Sequence, residues 1–118
     1  MRRARCLRRS YLNNRIKKCF EDPARLQRKI PFEWARTIKK RLDHLDAADD
    51  FGAFLSLGLG RPHPLEGYPG RCWGLHVTGN VRLVVCIRPE DVTVAQCTEY
   101  EIRGACDYHE GKENWYVS

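Results

Sequence analysis

The chain has 118 residues, 42% of them hydrophobic and 31% charged, with a net charge of +6. That is the size of one domain, residues 1–118, and it excludes a large cofactor-binding enzyme, a disordered chain and, with no run of about 18 apolar residues, a bilayer-spanning one. The charge is uneven: residues 1–45 carry 15 Lys and Arg against 4 Asp and Glu, whereas residues 46–118 carry 6 against 11, so the first part suits a polyanionic partner.

The start, MRRARCLRRS, has the charge of a secretory leader, but Asn13, Asn14 and Arg15 interrupt before any apolar stretch forms. It is read as a basic end, flexible over residues 1–5, of a cytoplasmic protein with no membrane partner. Asp22-Pro23 then opens a helix, because Asp caps free N–H groups and Pro suits the first helical position. The spacing predicts a short helix over residues 24–30, a break at Pro31 and a long helix from Phe32 to Ala48. Trp34, Ile38, Leu42 and Leu45 make one apolar stripe on that helix, opposite Arg36, Lys39, Lys40 and Asp43.

Glycine and proline punctuate residues 54–70, which read as a loop. Arg71–Val77 and Val81–Ile87 read as two strands joined around Thr78-Gly79-Asn80. With a three-residue loop and Val77 opposite Val81, the residues Trp73, Leu75, Val77, Val81, Leu83, Val85 and Ile87 share a core face. Cys72, His76, Arg82 and Cys86 share the other face. After a turn at residues 88–91, Val92–Ile102 reads as a third strand and Ala105–His109 as a fourth. Residues 111–118 read as a flexible polar end.

The expected fold is α+β: N-terminal helices packed on one face of a small, about four-stranded antiparallel sheet, with Trp34, Ile38, Leu42, Trp73, Leu75 and Leu83 in the core. The other sheet face is left for a site. The six cysteines (Cys6, Cys19, Cys72, Cys86, Cys97 and Cys106) show neither C-x-x-C nor zinc-finger spacing and are expected to be reduced core filler, with no metal and no cofactor.

The polar residues that could carry chemistry are few: His63, His76, Arg82 and the tripeptide Asp107-Tyr108-His109. Acid–base cleavage of RNA needs little more. A base takes the proton of a ribose 2′-OH, that oxygen attacks the adjacent phosphorus, and an acid protonates the 5′-oxygen that leaves; fixed cations hold the charge that builds on phosphorus. Histidine serves in either proton-transfer role, and arginine forks onto phosphate oxygens.

In that order along the chain, the helix KKRLDHLDAADD, the loop RPHPLEG, the hairpin GRCWGLHVTGNVRLVV and the closing CDYH resemble the HigB-like toxins, the plasmid-maintenance killer family of the RelE/ParE superfamily. The similarity covers roughly residues 12–112. It implies a RelE-like fold and the toxin of a type II toxin–antitoxin pair. Such a toxin is a ribosome-dependent endoribonuclease that cuts mRNA in the ribosomal A site without a metal, arrests translation and growth, and is silenced by a cognate helix-turn-helix antitoxin. The family's closing Asp-Tyr-His falls on Asp107, Tyr108 and His109, its hairpin arginine on Arg82 and its loop histidine on His63. By this resemblance His109 is general acid or base, Arg82 stabilises the phosphorane, Tyr108 positions substrate and Asp107 orients its neighbours. Arg71, Lys39, Lys40 and Arg36 are expected to follow RNA phosphates. Glu66 stands where the family pattern carries a lysine, which keeps open an alternative: a weakened or inactive toxin-fold module that binds antitoxin and RNA. A relative acting on DNA gyrase shares the fold but lacks the Asp-Tyr-His ending.

Overall fold

The structure, a computed structural model, describes residues 6–65, 71–109 and 112–118; for Tyr108, His109, Lys112 and Glu113 it describes the backbone alone. Glu66 and the residues from Gly67 to Gly70 lie outside the described residues.

The chain runs β1 (Arg8–Tyr11), α1 (Asn14–Glu21), α2 (Pro23–Gln27), α3 (Phe32–Ala47), α4 (Phe51–Leu57), β2 (His63–Pro64), β3 (Cys72–Thr78), β4 (Val81–Arg88), β5 (Glu99–His109) and β6 (Lys112–Val117). Local chemistry sets the helix ends. The Asn13 side chain accepts from the Ile16 N–H, 2.9 Å, and starts α1. Asp22 accepts from the Ala24 and Arg25 N–H groups, with Pro23 in the first turn as expected. Asp50 accepts from the Ala53 N–H, 2.8 Å, and Gly58 closes α4 with φ 67°.

The α+β class holds, but the sheet is larger than expected. It has six strands in the order β1-β5-β4-β3-β2, with β6 also on β5. Two segments of the sequence reading are corrected. The loop expected from residue 54 begins as a helix, because Asp50 caps it and Phe51 and Phe54 are fully buried. Residues 92–98 are a loop with a single 3-10 turn at Val94–Gln96, and the third and fourth expected strands are one strand, β5. The end read as flexible over residues 111–118 supplies a strand, and so does Arg8–Tyr11 near the basic start; residues 1–5 lie outside the described residues. β1 pairs with β5 in parallel over Glu99–Ile102, and β6 pairs with it antiparallel over Ala105–His109. Because β4 occupies the other edge of β5, β1 and β6 share one edge end to end.

The hairpin register is the expected one, reached by another turn. Thr78 pairs with Val81 across a two-residue loop, and a bulge at Val77 restores Leu75 opposite Leu83 and His76 opposite Arg82. The face sorting therefore survives. Leu75, Val77, Val81, Leu83, Val85 and Ile87 bury one sheet face against Ile16, Phe20, Ile38, Leu42, Leu45, Phe51 and Phe54 of the helices. The two expected core tryptophans are only half-buried: Trp73 meets the Phe51 ring edge-on at 5.0 Å and Trp34 meets Tyr116 at 5.1 Å. The opposite sheet face carries a second, smaller cluster of Leu65, Cys72, Val84, Cys86 and Cys106, with Trp115 against it.

One expectation about the cysteines is overturned. Cys72 and Cys86 are paired residues of β3 and β4 with α-carbons 4.0 Å apart, and they form a disulfide. Alternation already placed both on one face, and the antiparallel pairing sets them directly opposite each other. The premise of six reduced thiols therefore no longer supports a cytoplasmic location. No helix among the described residues is long and apolar enough to cross a membrane.

β1 is held by a polar network as well as by its ladder. Arg9 Nε donates to the hydroxyl of the fully buried Tyr100 at 2.9 Å, Arg9 Nη2 pairs with Asp46 Oδ2 at 2.5 Å, and Tyr100 donates to Asp46 Oδ1. Burial, then the bond to Asp46, raises the Tyr100 pKa, so the hydroxyl keeps its proton and its role as donor. Tyr100→Phe keeps the ring's packing but removes both bonds. We expect it to cost about 1 kcal/mol in urea unfolding, at the low end for a lost buried bond, because the Asp46 carboxylate is 40% exposed and regains water.

Candidate functional site

The helix-free face of the sheet is where the expected site residues must meet if they meet at all. Register gives its layout. His76 pairs with Arg82, Arg82 with Cys106 and Cys106 with Trp115, so these four stand in one row across β3, β4, β5 and β6. In the next row His63 pairs with Gly74, and Gly74 with Val84. A Cβ placed on Gly74 would lie 3.3 Å from Leu65 Cδ2, 3.5 Å from His63 Cε1 and 3.6 Å from Arg82 Cβ, so His63 and Arg82 both approach this glycine of β3, which Leu65 covers. Arg82 Nη1 donates to the carbonyls of Gly79, 2.9 Å, and Val81, 3.1 Å, and its other N–H groups have no acceptor among the described residues.

Two further arginines, which sequence reasoning missed, join this group. Arg41 of α3 reaches over the sheet end, and its Nε donates to the His76 carbonyl at 3.0 Å. Burial lowers the pKa of Arg41, although the group stays charged. Arg61 lies between Gly60 and Pro62 with a left-handed φ of 45°, in a turn tied to β3 by the bond from His76 N to Gly60 O at 2.8 Å. Left-handed backbone in a residue that has a Cβ is uncommon and recurs at functional sites. The signals in the sequence were slight: Arg41 borders the apolar stripe at Leu42, and Arg61 sits inside the glycine- and proline-rich stretch.

The electrostatics are one-sided. At the far end of the open face Arg88 pairs with Glu90, 2.9 Å, and with Glu101, 3.4 Å, while Arg103 lies 2.8 Å from Glu101. Among the described residues no carboxylate pairs with Arg41, Arg61 or Arg82. His76 feels them: burial first, then the charges of Arg82, Arg61 and Arg41, push its pKa below the ordinary histidine value. The imidazole is therefore neutral at pH 7 and able to accept a proton.

A stability prediction follows from that shift. The folded pKa lies below the unfolded one, so the unfolded state takes up the proton first as pH falls. His76 therefore disfavours the folded state progressively below about pH 6.5 and not above it. Urea midpoints measured between about pH 7.5 and pH 5 should fall less steeply for His76→Gln than for the parent chain. Parallel curves would mean that neither burial nor the arginines act on this ring.

The other expected residues divide. Asp107 pairs with Val81, a residue of the helix-side core, and so stands on the opposite face from Arg82; its Oδ1 is buried without a hydrogen-bond partner among the described residues. Tyr108 and His109 continue β5, three residues past the Arg82–Cys106 pair at His109, and their side chains lie outside the described residues. Arg71 is engaged elsewhere, donating to the Glu90 carbonyl and to Cys97 Sγ at 3.5 Å. Lys39 is bonded to Asp43 at 3.1 Å, and Arg36 lies over the Phe32 ring at 5.9 Å. Both line a groove of about 450 Å³ among α1, α2 and α3, on the helix side of the molecule. Lys40 is exposed on the same helix. The structure thus brings His63, His76 and Arg82 together, adds Arg41 and Arg61, and leaves Arg36, Lys39 and Arg71 apart from them.

The class this defines is a small α+β domain whose helix-free sheet face carries a cluster of arginines about His76 that has no carboxylate partner among the described residues. No family model, no curated protein and no solved structure matches the chain.

Proposed function

We propose that the chain is an RNA-cleaving toxin of the kind its motifs resemble, and that the basic cluster about His76 seats the scissile phosphate. One observation carries the reading: three arginines without carboxylate partners among the described residues converge on His76, Arg82 as its cross-strand partner, Arg41 bonded to its carbonyl, and Arg61 in the turn bonded to its N–H. Arginine supplies forked donors to phosphate oxygens, and a neutral histidine supplies a base.

In this reading His76 or His63 takes the 2′-OH proton, the 2′-oxygen bonds to phosphorus, and the bond from phosphorus to the 5′-oxygen breaks. His109, the end of the Asp107-Tyr108-His109 motif, returns a proton to the leaving oxygen. The products are a 2′,3′-cyclic phosphate and a 5′-hydroxyl end. Arg82, with Arg41 and Arg61, holds the charge that gathers on the equatorial oxygens. The partners are mRNA in the ribosomal A site and a helix-turn-helix antitoxin, and neither a metal nor a cofactor takes part. Glu66 in the lysine position favours a second reading, a surface that binds RNA and antitoxin without cutting.

The test is induced expression with mapping of mRNA 5′ ends, alongside the purified chain in translating and non-translating extracts. The reading expects new 5′-hydroxyl ends on translated messages only, with growth arrest. Intact messages with retained RNA binding would leave the second reading; intact messages and no binding would remove both.

A further inference from the structure

We propose that Trp115 of β6 is a nucleobase platform, stacking on a base of the same RNA strand whose phosphate lies at Arg82. The proposal rests on the RNA reading above and adds a contact that neither the motifs nor that reading assigns.

Three observations carry it. The first is register. Arg82, Cys106 and Trp115 are successive cross-strand partners on β4, β5 and β6. At about 4.8 Å between strands, the α-carbon of Trp115 stands roughly 10 Å from that of Arg82 on the same face. A phosphate held at one and a base laid on the other fit a single nucleic-acid strand crossing the sheet.

The second is support. The Trp115 ring rests on the open-face cluster that includes Val84, Cys86 and Cys106, and remains partly exposed. Its Cζ3 atom lies 3.1 Å from where a Cβ on Gly104 would be, so the ring sits over a position that has no side chain. A ring backed by protein has little rotamer freedom left to lose on stacking. The third is anchorage. Neighbouring Tyr116 and Val117 face the helix side, where Tyr116 meets Trp34 edge-on at 5.1 Å and Val117 is buried. β6 is thereby pinned from behind, and Trp115 is the aromatic it presents beside the basic cluster. Basic residues interleaved with an aromatic on an open sheet are the general device for single-stranded nucleic acid.

The experiment separates base from phosphate. Binding of a short single-stranded oligoribonucleotide is compared with that of an abasic strand of the same length, for the parent chain, Trp115→Phe and Trp115→Leu. One stacked base is expected to favour the normal strand by roughly 5- to 150-fold in the parent. Trp115→Phe should keep most of that preference, and Trp115→Leu should erase it without changing affinity for the abasic strand. As a second readout, a chain carrying Trp34→Phe and Trp73→Phe keeps Trp115 as its single tryptophan, and its fluorescence should be quenched by the normal strand and not by the abasic one. A folded Trp115→Leu chain that still prefers the normal strand, or an unquenched Trp115 in a chain that binds it, overturns the platform and leaves the RNA reading standing. Failure of the parent chain to bind either strand overturns the platform, while the cleavage reading stands or falls on the mapping of translated messages.

Discussion

Replacing Gly104 with alanine is expected to destabilise the protein by about 3–5 kcal/mol in urea unfolding. Gly104 has φ 139°, a conformation that side chains rarely adopt, and a Cβ built there would lie 2.0 Å from the Val117 carbonyl oxygen. That oxygen is backbone, so it cannot swing aside as a long side chain would. β6 would have to leave β5, withdrawing Val117 from the core and Tyr116 from Trp34. Gly58→Asn is the control. Gly58 also has a positive φ, 67°, but nothing lies within 4 Å of a Cβ there, and Asn tolerates that region, so its cost should be about 0.5 kcal/mol or less. Equal costs for the two variants would mean that β6 does not press on β5.

The second large effect belongs to the proposed chemistry. His109→Ala should lower cleavage by about 10²- to 10⁴-fold, the usual contribution of a positioned acid or base. Melting temperature and antitoxin binding should stay near the parent values. An unaltered rate would transfer the proton-returning role to His63, which shares the open face with His76. Glu66→Lys, made in parallel, should raise cleavage, because it removes a charge that repels phosphate and supplies the cation the family pattern carries there. A fall in cleavage would instead give Glu66 a role of its own.

Much of the scaffold was legible in the residues. Asp22-Pro23 opened a helix, the Ile38–Leu42–Leu45 stripe found the core, and alternation through Leu75, Leu83 and Val85 assigned the hairpin faces correctly. The face assignment held even though the turn was misjudged, because the bulge at Val77 absorbs the residue by which the loop is shorter. What failed shares a physical cause. β1 is a polar tetrapeptide, Arg8–Tyr11, with no period of its own; it is a strand because Glu99–Ile102 offers it an edge. Glycine and proline beyond Gly58 drew α4 into a loop, although Asp50 was there to cap it.

The site was legible in part. Arg82, His63 and His76 came from alternation and motif, and their proximity is a matter of strand pairing. Asp107 was expected beside them, but a single β5 running from Glu99 puts it in phase with Ala105 and Val81 on the core side. Arg41 and Arg61 could not be singled out, since nothing along the chain distinguishes an arginine that curls over a sheet end from one in solvent.

The shared edge of β5 has a consequence for synthesis. β1 leaves a ribosome about 90 residues before its partner Glu99–Ile102, and chains dominated by such distant pairings fold late. Only when Val117 has also emerged can β6 close the other half of that edge. The row from His76 to Trp115 is therefore assembled only after β6 has emerged. Until then the nascent polypeptide has the basic charge of its first half but not the surface on which that charge is organised.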